Sequence, residues 1–168
     1  GQGLISGEYG FFMQPGTAYA ASVWGSYYSV INRVNRLINI TDKLIGETTD
    51  VAEKNSLSSY KAELLGLRAY ANLKLFAYFT PDYTNPSGPS IMKADFVPDP
   101  NGLNEHIGRS NVSEISKFII DDIDQALSLR VNSWDNEGNN YLNATVLTAF
   151  KVKLFAMTER YTELIPLA

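Results

Sequence analysis

Apolar residues recur every three to four positions along most of this 168-residue chain, which is the spacing of helices with one buried face. Val23 or Trp24, Tyr27 or Tyr28, Ile31, Val34, Leu37 or Ile38, and Leu44 predict a first helix over about 17–45, with Gly46 as its C-terminal cap. Polar residues from Glu47 to Ser56 then read as a short connection. A second helix, about 56–79, is apolar on nearly every face between Leu64 and Phe79, interrupted only by Gly66, Arg68, Asn72 and Lys74. A helix of this kind has to be buried on most sides, so it is expected at the centre of the fold. Arg68 and Lys74 in its middle argue against a membrane span. Periodicity is lost over residues 80–109, where Pro81, Pro86, Pro89, Pro98 and Pro100 with Gly88, Gly102 and Gly108 predict a long loop, functional or disordered. Helical spacing returns over about 111–130, with Ser110 as N-cap, and over about 143–161, with Val146, Phe150, Leu154 and Met157 on one stripe. Asn132 to Asn140 is the turn between them. Residues 1–16 form a glycine-rich loop whose aromatics pack onto something. The expected fold is all-α: two antiparallel helix pairs side by side, the unit of tetratricopeptide-type repeats, though no strict repeat of about 34 residues is visible.

Composition narrows the function without choosing it. Hydrophobic residues at 45% and charged residues at 19% are ordinary for a globular chain that buries roughly 70% of its extended-chain surface. A net charge of −4 disfavours nucleic acid, which needs a basic stripe. The absence of cysteine excludes disulfides, zinc thiolates and thiol catalysis. No charged-then-apolar leader opens the chain, so a secretion signal is expected outside it.

Three segments, in order, resemble the SusD/RagB family. Trp24, Tyr27, Tyr28, Ile31, Arg33 and Asn35 are similar to its first helix. Glu63 with Arg68-Ala69-Tyr70, running into Leu75-Phe76-Ala77-Tyr78-Phe79, is similar to its signature helix. Arg109-Ser110, Glu114-Ile115, Phe118-Ile119-Ile120, Asp121-Asp122-Ile123 and Ala126-Leu127 are similar to a third. The resemblance implies irregular tetratricopeptide-like helix pairs. It implies that 1–168 is one helical domain, the N-terminal part of a longer chain. It further implies a non-catalytic glycan-binding lipoprotein at the cell surface. Such a protein sits in the outer membrane through a lipid anchor outside this chain and captures oligo- or polysaccharide for a SusC-like TonB-dependent transporter.

Glu63 and Arg68 lie about 140° apart around a helix and cannot pair along one face, so each reaches a different neighbour. Arg68 is expected to meet a carboxylate of the third helix, Asp121 or Asp122, as a structural pair. Asp121, Asp122 and Asp124 read as a solvated face plus one structural partner, not a metal site. Ser133 to Gly138 begins like a calcium loop, but Ser133 replaces its first Asp and Ala144 its last Glu. His106, the only histidine, has no nucleophile beside it and reads as a surface residue. No paired carboxylates mark a glycosidase, so neither catalysis nor a cofactor is expected. Sugar rings stack on aromatics in exposed loops, which makes Tyr83 and Trp134 the ligand-binding candidates, with packing onto a helix end as the equal alternative for each. An interaction module that binds a protein in a groove between helix pairs is the alternative reading.

Overall fold

The computed structural model describes residues 18–99, 107–129 and 142–167. They form α1 (Ala18–Glu47), α2 (Val51–Phe79), α3 (Val112–Leu129), α4 (Ala144–Met157) and a one-turn α5 (Tyr161–Leu164), closed by a 3-10 turn at Ile165–Leu167. Among the described residues there is no strand, only an isolated bridge between Pro89 and Asn111. No helix among them is long and apolar enough to cross a membrane.

Helix ends depart from the sequence expectations where capping, not periodicity, decides. α2 starts at Val51, because the Asp50 side chain accepts the Ala52 amide at 2.8 Å; residues 51–56 are its solvated first turns. The connection from α1 is therefore only 48–50, and Gly46 lies inside α1 instead of capping it. α3 is capped by Asn111, not Ser110. Asn111 Oδ1 accepts the Glu114 amide at 2.8 Å and Glu114 Oε2 accepts the Asn111 amide at 3.0 Å, a reciprocal capping box. α4 ends at Met157, short of the expected 161, because Glu159 adopts a left-handed φ of 56°.

α2 is the central rod. Leu65, Ala69, Leu75 and Phe76 are fully buried among Ile31 and Val34 of α1, Ile115, Ile119 and Ile123 of α3, and Leu147 and Leu154 of α4. α4 and the residues leading into it pack tightly on Gly66, where a Cβ would stand 2.8 Å from Leu142 Cδ1 and 3.0 Å from Leu147 Cδ2. Some apolar side chains are left uncovered by the described residues. Leu67, Tyr70 and Tyr78 are exposed on α2, and so are Val23, Val30, Leu37 and Leu44, seven residues apart on α1.

One polar node joins the helices. Arg68 donates through Nε and Nη2 to both oxygens of Asp122 at 2.8 and 2.7 Å, and through Nη1 to Asn35 Oδ1 at 2.9 Å. Its guanidinium lies 5.0 Å from the centroid of the Phe118 ring. Burial pushes the Asp122 carboxyl above the ordinary range, opposed by the Arg68 hydrogen bonds and charge. Asn35 Nδ2 donates in turn to the carbonyls of Ala94 and Phe96 at 3.0 and 2.8 Å. Tyr28 grips the same segment, donating to the Met92 carbonyl and accepting the Met92 amide, both at 2.9 Å. Residues 92–96 of the long loop are thus laid along α1, Ser90 and Ile91 are fully buried, and Ser90 Oγ meets Thr80 Oγ1 at 2.7 Å.

Removing one partner of a buried pair strands the other charge, so Arg68→Leu is expected to cost about 3–5 kcal/mol in urea unfolding. The double change with Asp122→Leu should cost less than the sum of the two. An Arg68→Leu protein of unchanged stability would show that the node is dispensable.

Burial raises the Tyr28 phenol to about 12, above its ordinary 10.0. The folded state therefore holds this proton more tightly than the unfolded chain, and its stabilising contribution is lost as pH rises from about 10 to about 12. Alkaline melts followed by circular dichroism should fall less steeply over that window in Tyr28→Phe.

Candidate functional site

A cleft of about 400 Å³ opens where the segment after α2, the first half of α3 and the turn after α4 come together. Its size suits a small ligand or a few units of a polymer. Tyr83 forms one wall. Its hydroxyl donates to the Ala77 carbonyl in the last turn of α2 at 2.5 Å, and its ring lies 5.4 Å from that of Phe76, tilted by 34°. The ring is therefore fixed before any ligand arrives. Thr84 and Pro86 continue the wall. Asp82 Oδ1 accepts both the Thr84 amide at 2.9 Å and the Thr84 hydroxyl at 2.8 Å, and those bonds hold its carboxyl below the usual range.

α3 supplies the floor. Val112 and Ile120 are apolar, Ser113 and Ser116 carry hydroxyls, and Lys117 stands at the rim, its Nζ 2.6 and 2.8 Å from the Asp121 oxygens. Ser116 is only 4% exposed and its Oγ has no hydrogen-bond partner among the described residues. The third wall is Thr158 and Arg160. They are placed by a Schellman turn, in which the Arg160 amide donates to the Phe155 carbonyl at 2.9 Å and the Glu159 amide to Ala156 at 3.4 Å. Glycine is usual at the left-handed position and Glu159 occupies it. Arg160 lies 4.7 Å above the Phe155 ring and pairs with Glu163, whose carboxyl that hydrogen bond pulls down.

The residues singled out in the sequence fall in different places. Tyr83 lines the cleft, whereas Trp134 and His106 lie outside the described residues. Arg68 takes Asp122, while Asp121 faces Lys117 in an exposed pair and Asp124 pairs with Lys151 at 2.8 Å. The three acids go to three different cations, and no group of metal-ligating side chains occurs among the described residues. Glu63 reaches a separate neighbour, accepting the Leu142 amide at 2.9 Å just before α4. Sequence reasoning missed Lys117, Thr158 and Arg160. Lys117 looks like one half of a solvated pair, and nothing in the residues 158–160 announces a turn.

These features define an all-α protein of tetratricopeptide-like helix pairs with a cleft on one end, floored by α3 and walled by the segments after α2 and α4. The fold is SusD-like. A SusD superfamily protein from Bacteroides thetaiotaomicron matches with a TM-score of 0.74 at 22% identity, covering 86% of this chain and 30% of its own. A SusD-like carbohydrate-binding protein from Bacteroides vulgatus matches at 0.70 and 18%, covering 86% and 29%. A laminarin-binding SusD-like protein matches at 0.67 and 17%, covering 87% and 28%. The chain thus spans under a third of the length of these structures. No protein-family model matches the sequence, and no curated relative matches it.

A left-handed conformation costs a non-glycine residue about 1–2 kcal/mol, so Glu159→Gly is expected to raise stability by about 1 kcal/mol in urea titrations. A loss instead would mean that the Glu159 side chain holds the turn.

Proposed function

We propose that this chain is the N-terminal helical part of a non-catalytic SusD-like lipoprotein that captures oligo- or polysaccharide at the bacterial outer membrane. It would hand the glycan to a SusC-like TonB-dependent transporter, with the lipid anchor outside this chain. The observation that carries the reading is the helical fold shared over 86% of the chain with SusD superfamily structures. Two proteins of that fold are described as carbohydrate-binding and laminarin-binding. The cleft fits the same chemistry, with a fixed aromatic ring beside four hydroxyl side chains. Trp134 remains a proposed second stacking residue.

One observation favours the alternative, a helical module that binds a protein. The exposed seven-residue repeat of Val23, Val30, Leu37 and Leu44 on α1 is the kind of apolar stripe that partners cover.

Isothermal titration against a polysaccharide panel, laminarin included, separates the two. Glycan capture predicts saturable binding that Tyr83→Ala weakens roughly tenfold, with no reducing sugar released. Absence of binding by any glycan in the panel would favour the protein-binding module.

A further inference from the structure

We infer that the cleft beside Tyr83 selects a saccharide carrying an acidic group, a carboxylate or a sulfate ester, and that Lys117 and Arg160 bind that group. The inference rests on the glycan-binding reading above and adds the charge of the ligand. The whole chain is acidic, with 18 Asp and Glu against 14 Lys and Arg, yet among the described residues the charged side chains lining the cleft are two cations, with their carboxylate partners Asp121 and Glu163 set outside the lining. The cations arrive from separate elements, Lys117 from the second turn of α3 and Arg160 from the turn after α4. Chain connectivity alone does not bring them together.

Among the described residues each cation pairs with a carboxylate on its own stretch of chain, Asp121 four residues on and Glu163 three residues on. Exposed pairs of this kind contribute little, so a ligand anion can replace or join them at small cost. The Arg160 guanidinium lies 4.7 Å over the Phe155 ring and its Nε and Nη2 serve Glu163, so a carboxylate or sulfate of the ligand would take the remaining guanidinium N–H groups or displace Glu163 from this exposed pair. Strained backbone accumulates at ligand clamps, and the strained residue here, Glu159 with φ 56°, is the one that sets both Thr158 and Arg160 on the cleft. Ser113 offers a hydroxyl to sugar hydroxyls around the charged point, and the Thr84 and Thr158 hydroxyls, whose protons go to Asp82 and to the Leu154 carbonyl, remain as acceptors.

The test is titration of the chain with three oligosaccharides of matched length: an oligogalacturonide, a sulfated galactan fragment and a neutral laminari-oligosaccharide. At least one acidic ligand should bind about tenfold or more tighter than the neutral one, and its affinity should fall as sodium chloride is raised. Lys117→Gln and Arg160→Gln should each lose about tenfold toward it, Lys117→Arg should restore most of that loss, and Lys54→Gln, on the exposed start of α2, should change nothing. Lys117 is exposed, so its variant keeps the fold and the same melting temperature. Equal binding of acidic and neutral ligands, or full affinity in Lys117→Gln and Arg160→Gln, overturns the charge preference and leaves glycan capture standing. Binding of none of the three overturns the charge preference; if the wider panel is also silent, glycan capture falls with it.

Discussion

The described structure hangs on one buried guanidinium. Arg68 sits on the central helix, and its hydrogen bonds reach α3 through Asp122 and α1 through Asn35. Such an ion pair gains little net energy over apolar packing, since desolvating both charges nearly cancels their attraction. What it supplies is register. Apolar ridges of neighbouring helices can slide by a turn and still pack, whereas a forked donor with a two-oxygen acceptor fits one alignment only. Three helices are thereby fixed relative to one another at a single level. The carbonyls of Ala94 and Phe96 hang from the same point through Asn35.

That node also shows why part of the fold was legible in the sequence. Asn35, Arg68 and Asp122 fall one in each of the three segments that carry the family resemblance, and in space they are one cluster. Trp24 and Arg109, from the first and third segments, likewise meet at 5.7 Å. The burial of Leu65 and Phe76 follows from a helix apolar on nearly every face. The same reasoning overreached on the outer flank, where Leu67, Tyr70 and Tyr78 remain exposed: an apolar pattern states what a residue tolerates, not what covers it. Helix ends were read less well, because Asp50 and Asn111 act through single amide hydrogen bonds that leave no periodic trace.

The cleft was legible only at Tyr83. A proline-rich loop that ends one helix and carries an aromatic is a recognisable signal. Lys117 and Arg160, by contrast, lie 43 positions apart and are brought together by a turn that Glu159 makes in an unusual conformation. Local rules favour glycine there. A site assembled from such pieces depends on tertiary packing, chiefly on Phe155 under Arg160, and packing of that kind is not written in spacing.

Tyr28 and Asn35 hold the segment from Met92 to Phe96 solely by its peptide groups. Nothing in that grip reads a side chain. Only between those bonds do side chains take part, Ala94 against the core and Lys93 over the Phe118 ring at 5.3 Å, so the path of this stretch past α1 is written mainly in its backbone and tolerates change at Phe96 more readily than at Ala94.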